Sequence, residues 1–234
     1  MIKCFMVGLI SAVPFEAEFL LEAIRGKRGK DRQFMTGVAA GKEAVFTCSG
    51  VGIANASRAT ALLAERFRPR LIVVFGIAGA YPASGLKRGD VAAAESEVYA
   101  DCGAVRGGKF IGFREMGFPL LRRGKMEYFN EFPMDKTLLK KAGRLFPGLR
   151  TGIFLTVCAA SRDRKRALAL ERLYGGITEN MEGAAAAHAA VASGIPALEI
   201  RGISNMAGEP PALWDKETAA LNCQKAVIEL LKVL

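Results

Sequence analysis

Histidine is almost missing from this chain: His188 is the single copy in 234 residues. A Ser-His-Asp triad or an imidazole-rich zinc site therefore has one ring to draw on. That ring lies in an Ala-rich helical stretch, where packing is the simpler use. The cysteines (Cys4, Cys48, Cys102, Cys158 and Cys223) are odd in number and widely spaced. With no CxxC pair they indicate neither a zinc site nor a disulfide framework. Most stand in apolar runs, where a reduced thiol behaves as a small core residue, consistent with a reducing cytoplasm. No apolar run approaches the roughly 20 residues of a membrane span. The N-terminus enters a strand-like stretch at once, without the charged-then-apolar order of a signal peptide. Tryptophan also occurs once, as Trp214 just after Glu209-Pro210-Pro211-Ala212-Leu213, the position of a lid or an anchor.

Hydrophobic residues make up 51 % of the chain, enough for a sizeable core, and no repeat or low-complexity linker divides it. One domain spanning 1–234 is expected. The 33 Lys+Arg against 23 Asp+Glu leave a formal charge of +10, which favours anionic partners. The basic residues are dispersed, however, with local knots only at Lys27-Arg28-Lys30 and Arg162-Arg164-Lys165-Arg166. No nucleic-acid-binding motif accompanies them, so a solvated surface or an acidic small ligand is the expected meaning.

Short apolar runs alternate with helical patterns. Cys4–Ile10, Val45–Cys48, Leu71–Phe75, Ile153–Val157 and Ala197–Arg201 read as strands, several of them covered on both faces. Phe15–Ile24, Ala54–Phe67, Arg164–Tyr174, Glu182–Ser193 and Lys216–Val233 read as helices, Pro69 marking one stop. The alternation predicts an α/β domain with a largely parallel sheet. The stretch 104–132 has many Gly, Arg and Phe residues and weak periodicity. It is long for a loop, which suggests a functional use.

Three glycine-bearing turns are expected after strands: Gly50-Val51-Gly52, Gly76-Ile77-Ala78-Gly79 and Gly202-Ile203-Ser204-Asn205. Ligands of open α/β sheets bind where such turns converge, and glycine lets the backbone approach a ring or sugar closely. Gly50-Val51-Gly52 lacks the third glycine of a dinucleotide fingerprint, and no cofactor or metal is implied. Glu16 and Glu182 stand at strand-to-helix junctions. Each is either a first-turn acid favourable to the helix dipole or a carboxylate placed to accept vicinal hydroxyls.

Ser49–Gly52, Gly76–Gly79, Asn180-Met181-Glu182-Gly183 with His188, and Arg201–Asn205 resemble the methylthioadenosine/S-adenosylhomocysteine nucleosidases and their nucleoside phosphorylase relatives, in order and spacing over nearly the whole chain. Tyr81–Leu86, Met116–Leu120, Phe154–Val157 and Glu199–Asn205 resemble the futalosine hydrolase branch. The resemblance implies a three-layer α/β/α fold around a mixed, partly barrel-like sheet, usually in a homodimer. It implies a nucleosidase that breaks an N-glycosidic bond, in this branch that of futalosine, releasing hypoxanthine on a route to menaquinone. Glu16 matches the family's base on the catalytic water. Met181 and Glu182 match the ribose-binding pair, and Val51, Ala78, Gly79 and Ser204 fall at substrate-contacting positions.

Asn205 falls where adenosine-type nucleosidases carry an aspartate that protonates N7. An asparagine amide cannot do that, but it offers a donor and an acceptor at once, which suits the O6 and protonated N7 of hypoxanthine or guanine. The arginines with which related phosphorylases hold phosphate have no counterpart around Gly8–Ser11 or Val74–Gly76, so water is the expected nucleophile. In the same reading, the aromatics of 104–132 (Phe110, Phe113, Phe118) would pack on the benzoate-like group of futalosine. Arg106, Lys109, Arg114 or Arg122 would then meet its carboxylate. The alternatives are a methylthioadenosine/S-adenosylhomocysteine nucleosidase and a non-catalytic nucleoside-binding protein.

Overall fold

A computed structural model of the chain describes residues 5–28 and 33–234; Cys4 and Lys30 lie outside the described residues. Strand β1 (Met6–Ser11) leads through a 3-10 turn, Pro14–Glu16, into helix α1 (Glu18–Ala23). The helix expected over 15–24 is thus split. Pro14 opens the tight turn, and the Glu16 carboxylate folds back on the Ala12 and Val13 N–H groups instead of pointing along a continuous helix. Strands β2 (Arg25–Arg28), β3 (Met35–Ala39) and β4 (Lys42–Cys48), helix α2 (Ile53–Phe67) and strand β5 (Leu71–Ala80) follow. Beyond them come β6 (Val91–Tyr99), β7 (Ala104–Arg106), β8 (Lys109–Ile111), α3 (Phe113–Met116), β9 (Leu121–Arg123), β10 (Met126–Tyr128) and β11 (Glu131–Pro133). The last part holds α4 (Lys136–Leu145), β12 (Arg150–Thr156), α5 (Arg164–Tyr174), β13 (Thr178–Asn180), α6 (Gly183–Ser193), β14 (Ala197–Met206) and α7 (Lys216–Val233).

Ten strands form one mixed sheet, and part of it closes on itself. β5 pairs with β13, β13 with β12, β12 with β6, and β6 with β14, which returns to β5. Parallel β1 and β4, then antiparallel β3 and β2, extend from β5 as an open arm. Each face of the sheet buries apolar side chains under helices. α2 and the alanine helix α6 cover one face, and α7 with α1 and α4 the other. Alanine at six buried positions lets α6 lie close against the sheet and α2.

Two of the three expected glycine turns are strand. Gly76–Gly79 belongs to β5 and Gly202–Asn205 to β14, because the two strands continue to pair past their apolar centres. The pairing slips between Ile203 and Asn205. A bulge of this kind re-aims side chains, and here it turns two consecutive residues, Ser204 and Asn205, toward one cavity. Only Gly50-Val51-Gly52 is a turn, its glycines at φ 87° and 95°, where a side chain would be strained. The stretch 104–132 is not a loop either. It folds into the hairpins β7–β8 and β9–β10 before β11 joins the edge of β6.

Candidate active site

Glu16 is 2 % exposed. Its Oε2 accepts hydrogen bonds from Ala12 N (2.9 Å) and Val13 N (3.1 Å), and its Oε1 from Ile77 N (2.8 Å). A side chain at Gly76 would place Cβ 2.5 Å from that Oε1 and 2.8 Å from Arg201 Nη1, so only glycine lets β5 pass there. Burial raises the Glu16 carboxyl above its ordinary value, against the opposing pull of Arg201 and the backbone donors.

Glu182 stands at the N-terminus of α6 without capping it. Its side chain crosses to the glycine turn, where Oε1 accepts from Gly52 N at 3.0 Å, while Oε2 lies 3.5 Å from Arg201 Nη1. Asn205 is 3 % exposed. Its Nδ2 donates to the Met206 carbonyl (2.9 Å) and its Oδ1 accepts from Ser204 Oγ (2.7 Å). A carbonyl only accepts, so this pairing fixes the amide orientation. One N–H and one lone pair remain for a ligand.

Glu16, Val51, Ala78, Gly79, Met181, Glu182, Ser204 and Asn205 all line a single cavity of ≈ 260 Å³. This is just under the ~300–1,000 Å³ usual for small-molecule sites, so it holds one small ligand rather than a polymer segment. Its walls are mostly apolar, with Phe15, Val157, Ala160 and Trp214 among them, and Glu179 and Asn180 also line it. Glu179 accepts from Tyr81 Oη (3.1 Å) and from Ser161 N and Oγ (2.9 and 2.7 Å), which fixes the 157–161 loop against β13.

No residue of 104–132 lines this cavity within the single chain. Arg122 instead pairs with Glu127, Arg114 lies over the Phe129 ring at 4.3 Å, and Phe118 is exposed. The one cation among the described lining residues is Lys216, whose ammonium sits 5.9 Å from the centre of the Trp214 ring. Trp214 is a wall of the cavity, anchored through its Nε1–H to the Glu209 carbonyl at 3.2 Å. His188 is a packing residue, stacked on Phe132 at 4.3 Å, and burial lowers its pKa.

The sequence pattern missed a buried ionic cluster behind the cavity. Arg201, 1 % exposed, donates from Nε to Glu199 Oε1 (2.7 Å), from Nη2 to Asn180 Oδ1 (3.3 Å) and from Nη1 to the Ile77 carbonyl (3.3 Å). Burial pulls its pKa down, but Glu199, Glu182 and Glu16 outweigh this and raise it. The available signal was the alternation Leu198-Glu199-Ile200-Arg201: two charges on one face of an apolar strand that lies at the centre of the sheet. The structure also gathers Asp101, Cys102 and Cys158, ligand-type groups within 4.8 Å of one another. The Asp101 carboxylate is already held by Cys158 N, Ala159 N and Arg166. Among the described cysteines only Cys223 is fully buried, and all of them are free, so the expectation of core thiols holds for that one. Among the described residues no helix is long and apolar enough to cross a membrane.

A closed mixed barrel with an open arm, two carboxylates and an amide converging on one small cavity, and a match of residues 6–234 to the phosphorylase superfamily model together place the chain: it belongs to the phosphorylase superfamily. Within it, the chain is 39 % identical over 188 residues to the futalosine hydrolase of Thermus thermophilus, covering 80 % of each chain. It is 30 % identical to the 5′-methylthioadenosine/S-adenosylhomocysteine nucleosidase of Listeria welshimeri, over 97 % of this chain and 99 % of that one. Its fold superposes with TM-score 0.83 on the Neisseria meningitidis 5′-methylthioadenosine/S-adenosylhomocysteine nucleosidase in complex with methylthio-immucillin-A, at 26 % identity and over 98 % and 100 % of the two chains.

Proposed function

We propose that this protein is a nucleosidase that hydrolyses the N-glycosidic bond of futalosine, releasing hypoxanthine. The observation that carries the choice of base is Asn205. Its amide, held by Ser204 and Met206, keeps one N–H and one lone pair for a ligand of the cavity it lines, the complement of the O6 acceptor and N7–H donor of a departing 6-oxopurine. Glu182 accepts the 2′- and 3′-hydroxyls beside Met181. The C1′–N9 bond breaks to give the ribosyl cation, the departing base takes its N7 proton from solvent, and Glu16, ionised and made more basic by burial, deprotonates the water that adds to the anomeric carbon.

Water rather than phosphate is the nucleophile on electrostatic grounds. Glu16, Glu179 and Glu182 face the cavity, and the one arginine of the region is committed to carboxylates. Within the single chain, Lys216 beside Trp214 and Phe15 supplies a cation with aromatic surface for the benzoate-like end of the substrate. Replacing Lys216 by Ala is expected to raise KM for futalosine several-fold and leave that for inosine unchanged. Equal effects on both substrates remove Lys216 from this role.

The coverage of the methylthioadenosine-type relatives favours the second reading, an adenosine-type nucleosidase. Incubation with futalosine, inosine and methylthioadenosine, with and without phosphate, decides by the free base released. Phosphate-independent release of hypoxanthine from futalosine is expected, and preferential release of adenine sinks the reading. Asn205→Asp tests the same point from the protein side. It replaces the amide donor by a carboxyl that repels O6 and, protonated, serves N7 of adenine. A hydrogen-bond mismatch of ~1–3 kcal/mol predicts a shift of roughly 5- to 150-fold in kcat/KM toward adenine nucleosides. An unchanged ratio excludes Asn205 as the base-reading group.

A further inference from the structure

Glu97, on β6, is wholly buried and does not line the cavity, yet two chains of hydrogen bonds join it to the first turn of α6, one of them ending on the Glu182 N–H. Its Oε2 accepts from Thr156 Oγ1 at 2.7 Å and its Oε1 from Asn180 Nδ2 at 2.5 Å. Both partners turn their other side to the first turn of α6. Thr156 Oγ1 accepts from Ala184 N (2.7 Å). Asn180 Oδ1 accepts from Glu182 N (2.9 Å) and Gly183 N (2.7 Å) as well as from Arg201.

A hydroxyl has one hydrogen and an amide has distinct ends. Committing the Thr156 hydrogen and the Asn180 NH2 to Glu97 leaves only acceptors facing the α6 amides. Without Glu97 the Asn180 NH2 loses its acceptor and the Thr156 hydrogen is left with only the longer contact to Asn180 Oδ1 (3.3 Å), so the pair that receives the α6 amides is less firmly held. We propose that Glu97 is a positioning residue for Glu182, acting through Asn180 and Thr156 to hold the α6 N-terminus, and so the carboxylate that grips the sugar hydroxyls, in register with the cavity.

The other side of Glu97 reaches the same residue by a second route. A Cβ on Gly183 would collide with both Glu97 Oε1 and Glu199 Oε2, so these two oxygens converge above its Cα. Two carboxyl groups meeting out of water share a proton. Burial and the charge of Glu199 hold Glu97 well above the usual carboxylate range, which keeps that proton on the pair. It satisfies Glu199 Oε2, a buried atom with no other hydrogen-bond partner among the described residues. Glu199 then carries Arg201, and Arg201 approaches Glu182.

The inference rests on Glu182 as the ribose-binding group, and the two are separable by assay. Full-length wild type, Glu97→Gln and Glu97→Leu are compared on inosine and 2′-deoxyinosine, with hypoxanthine affinity and Tm measured alongside. Wild type is expected to prefer the riboside; a wild type indifferent to the 2′-hydroxyl overturns the Glu182 reading, and this inference falls with it. Leu at 97 is expected to lower kcat/KM on inosine by roughly 10- to 100-fold, the range seen when the outer partner of a ligating group is removed. Its effect on 2′-deoxyinosine is smaller, so the preference shrinks, while hypoxanthine binding stays within twofold. Gln can keep an acceptor toward Thr156 and a donor toward Glu199, but that NH2 then meets Asn180 Nδ2, so Gln is expected to fall between wild type and Leu. Should the Leu variant not fold, Thr156→Val breaks one of the two links and is expected to move the ratio the same way by less. Equal losses on both substrates, or a Leu variant that keeps the wild-type preference, overturn the proposal.

Discussion

Glu16→Gln is expected to lower kcat by roughly 10²- to 10⁴-fold, the range carried by a positioned general base, with KM changed only a few-fold. The carboxylate is immobilised by three backbone N–H groups, so its orientation toward a water is set before substrate arrives. Gln keeps the size but replaces one acceptor by an NH2 facing a backbone donor, and it cannot take a proton. The loss therefore falls on the chemical step rather than on ground-state binding. Its pH signature has a definite sign. In the proposed role Glu16 works ionised, and burial raises its pKa above 4.5, so kcat/KM of the wild type is expected to decline as pH falls through a value above 4.5. The variant lacks that acid limb. Turnover within tenfold of wild type, measured by single-turnover release of base, removes Glu16 from the mechanism.

The outline of the fold was legible because its strands are short apolar runs and its helices carry ordinary stops and starts. Leu71–Phe75 and Ala197–Arg201 announce themselves as strands, but their continuations do not. Gly76–Gly79 and Gly202–Asn205 look like turns in one dimension because glycine marks turns. Here it marks places where a neighbouring side chain needs the space, Glu16 and Arg201 at Gly76 and the α7 backbone at Gly202. The candidate residues converge on one cavity because each lies at or just past a strand end, a position visible in the apolar pattern. Lys216 was not legible as a lining residue: the packing of α7 against the Pro14–Glu16 turn brings it there, and that contact is long-range. Glu97 was hidden for the same reason, since its partners Thr156, Asn180 and Glu199 come from three other strands. The hairpins of 104–132 escaped because their strands are three residues long, too short for alternation to register.

Arg201→Met is expected to be the most destabilising single change near the site. The guanidinium is 1 % exposed and lies against Glu199 at 2.7 Å and Glu182 at 3.5 Å, with Glu16 also within its field. Methionine fills much of the volume but leaves buried carboxylates without a counter-charge, a change that costs about 3–5 kcal/mol when one partner of a buried pair is removed. The carboxyls respond by holding protons more tightly, and the direction follows from linkage. Glu16 and Glu199 already have raised folded-state values, lowered in part by Arg201. Without it they rise further, so stability is retained at low pH, where these groups are protonated in both states, and is lost as pH rises through the folded-state values. The deficit in Tm relative to wild type should therefore be larger at pH 8 than at pH 5, and the acid limb of any residual activity should move upward. Arg201→Lys separates charge from geometry. An ammonium restores part of the charge balance but cannot bridge Glu199, Asn180 and the Ile77 carbonyl at once. It should recover stability more than turnover. A methionine variant whose Tm deficit is the same at both pH values would show that Arg201 acts through packing and not as the counter-ion of the buried carboxylates.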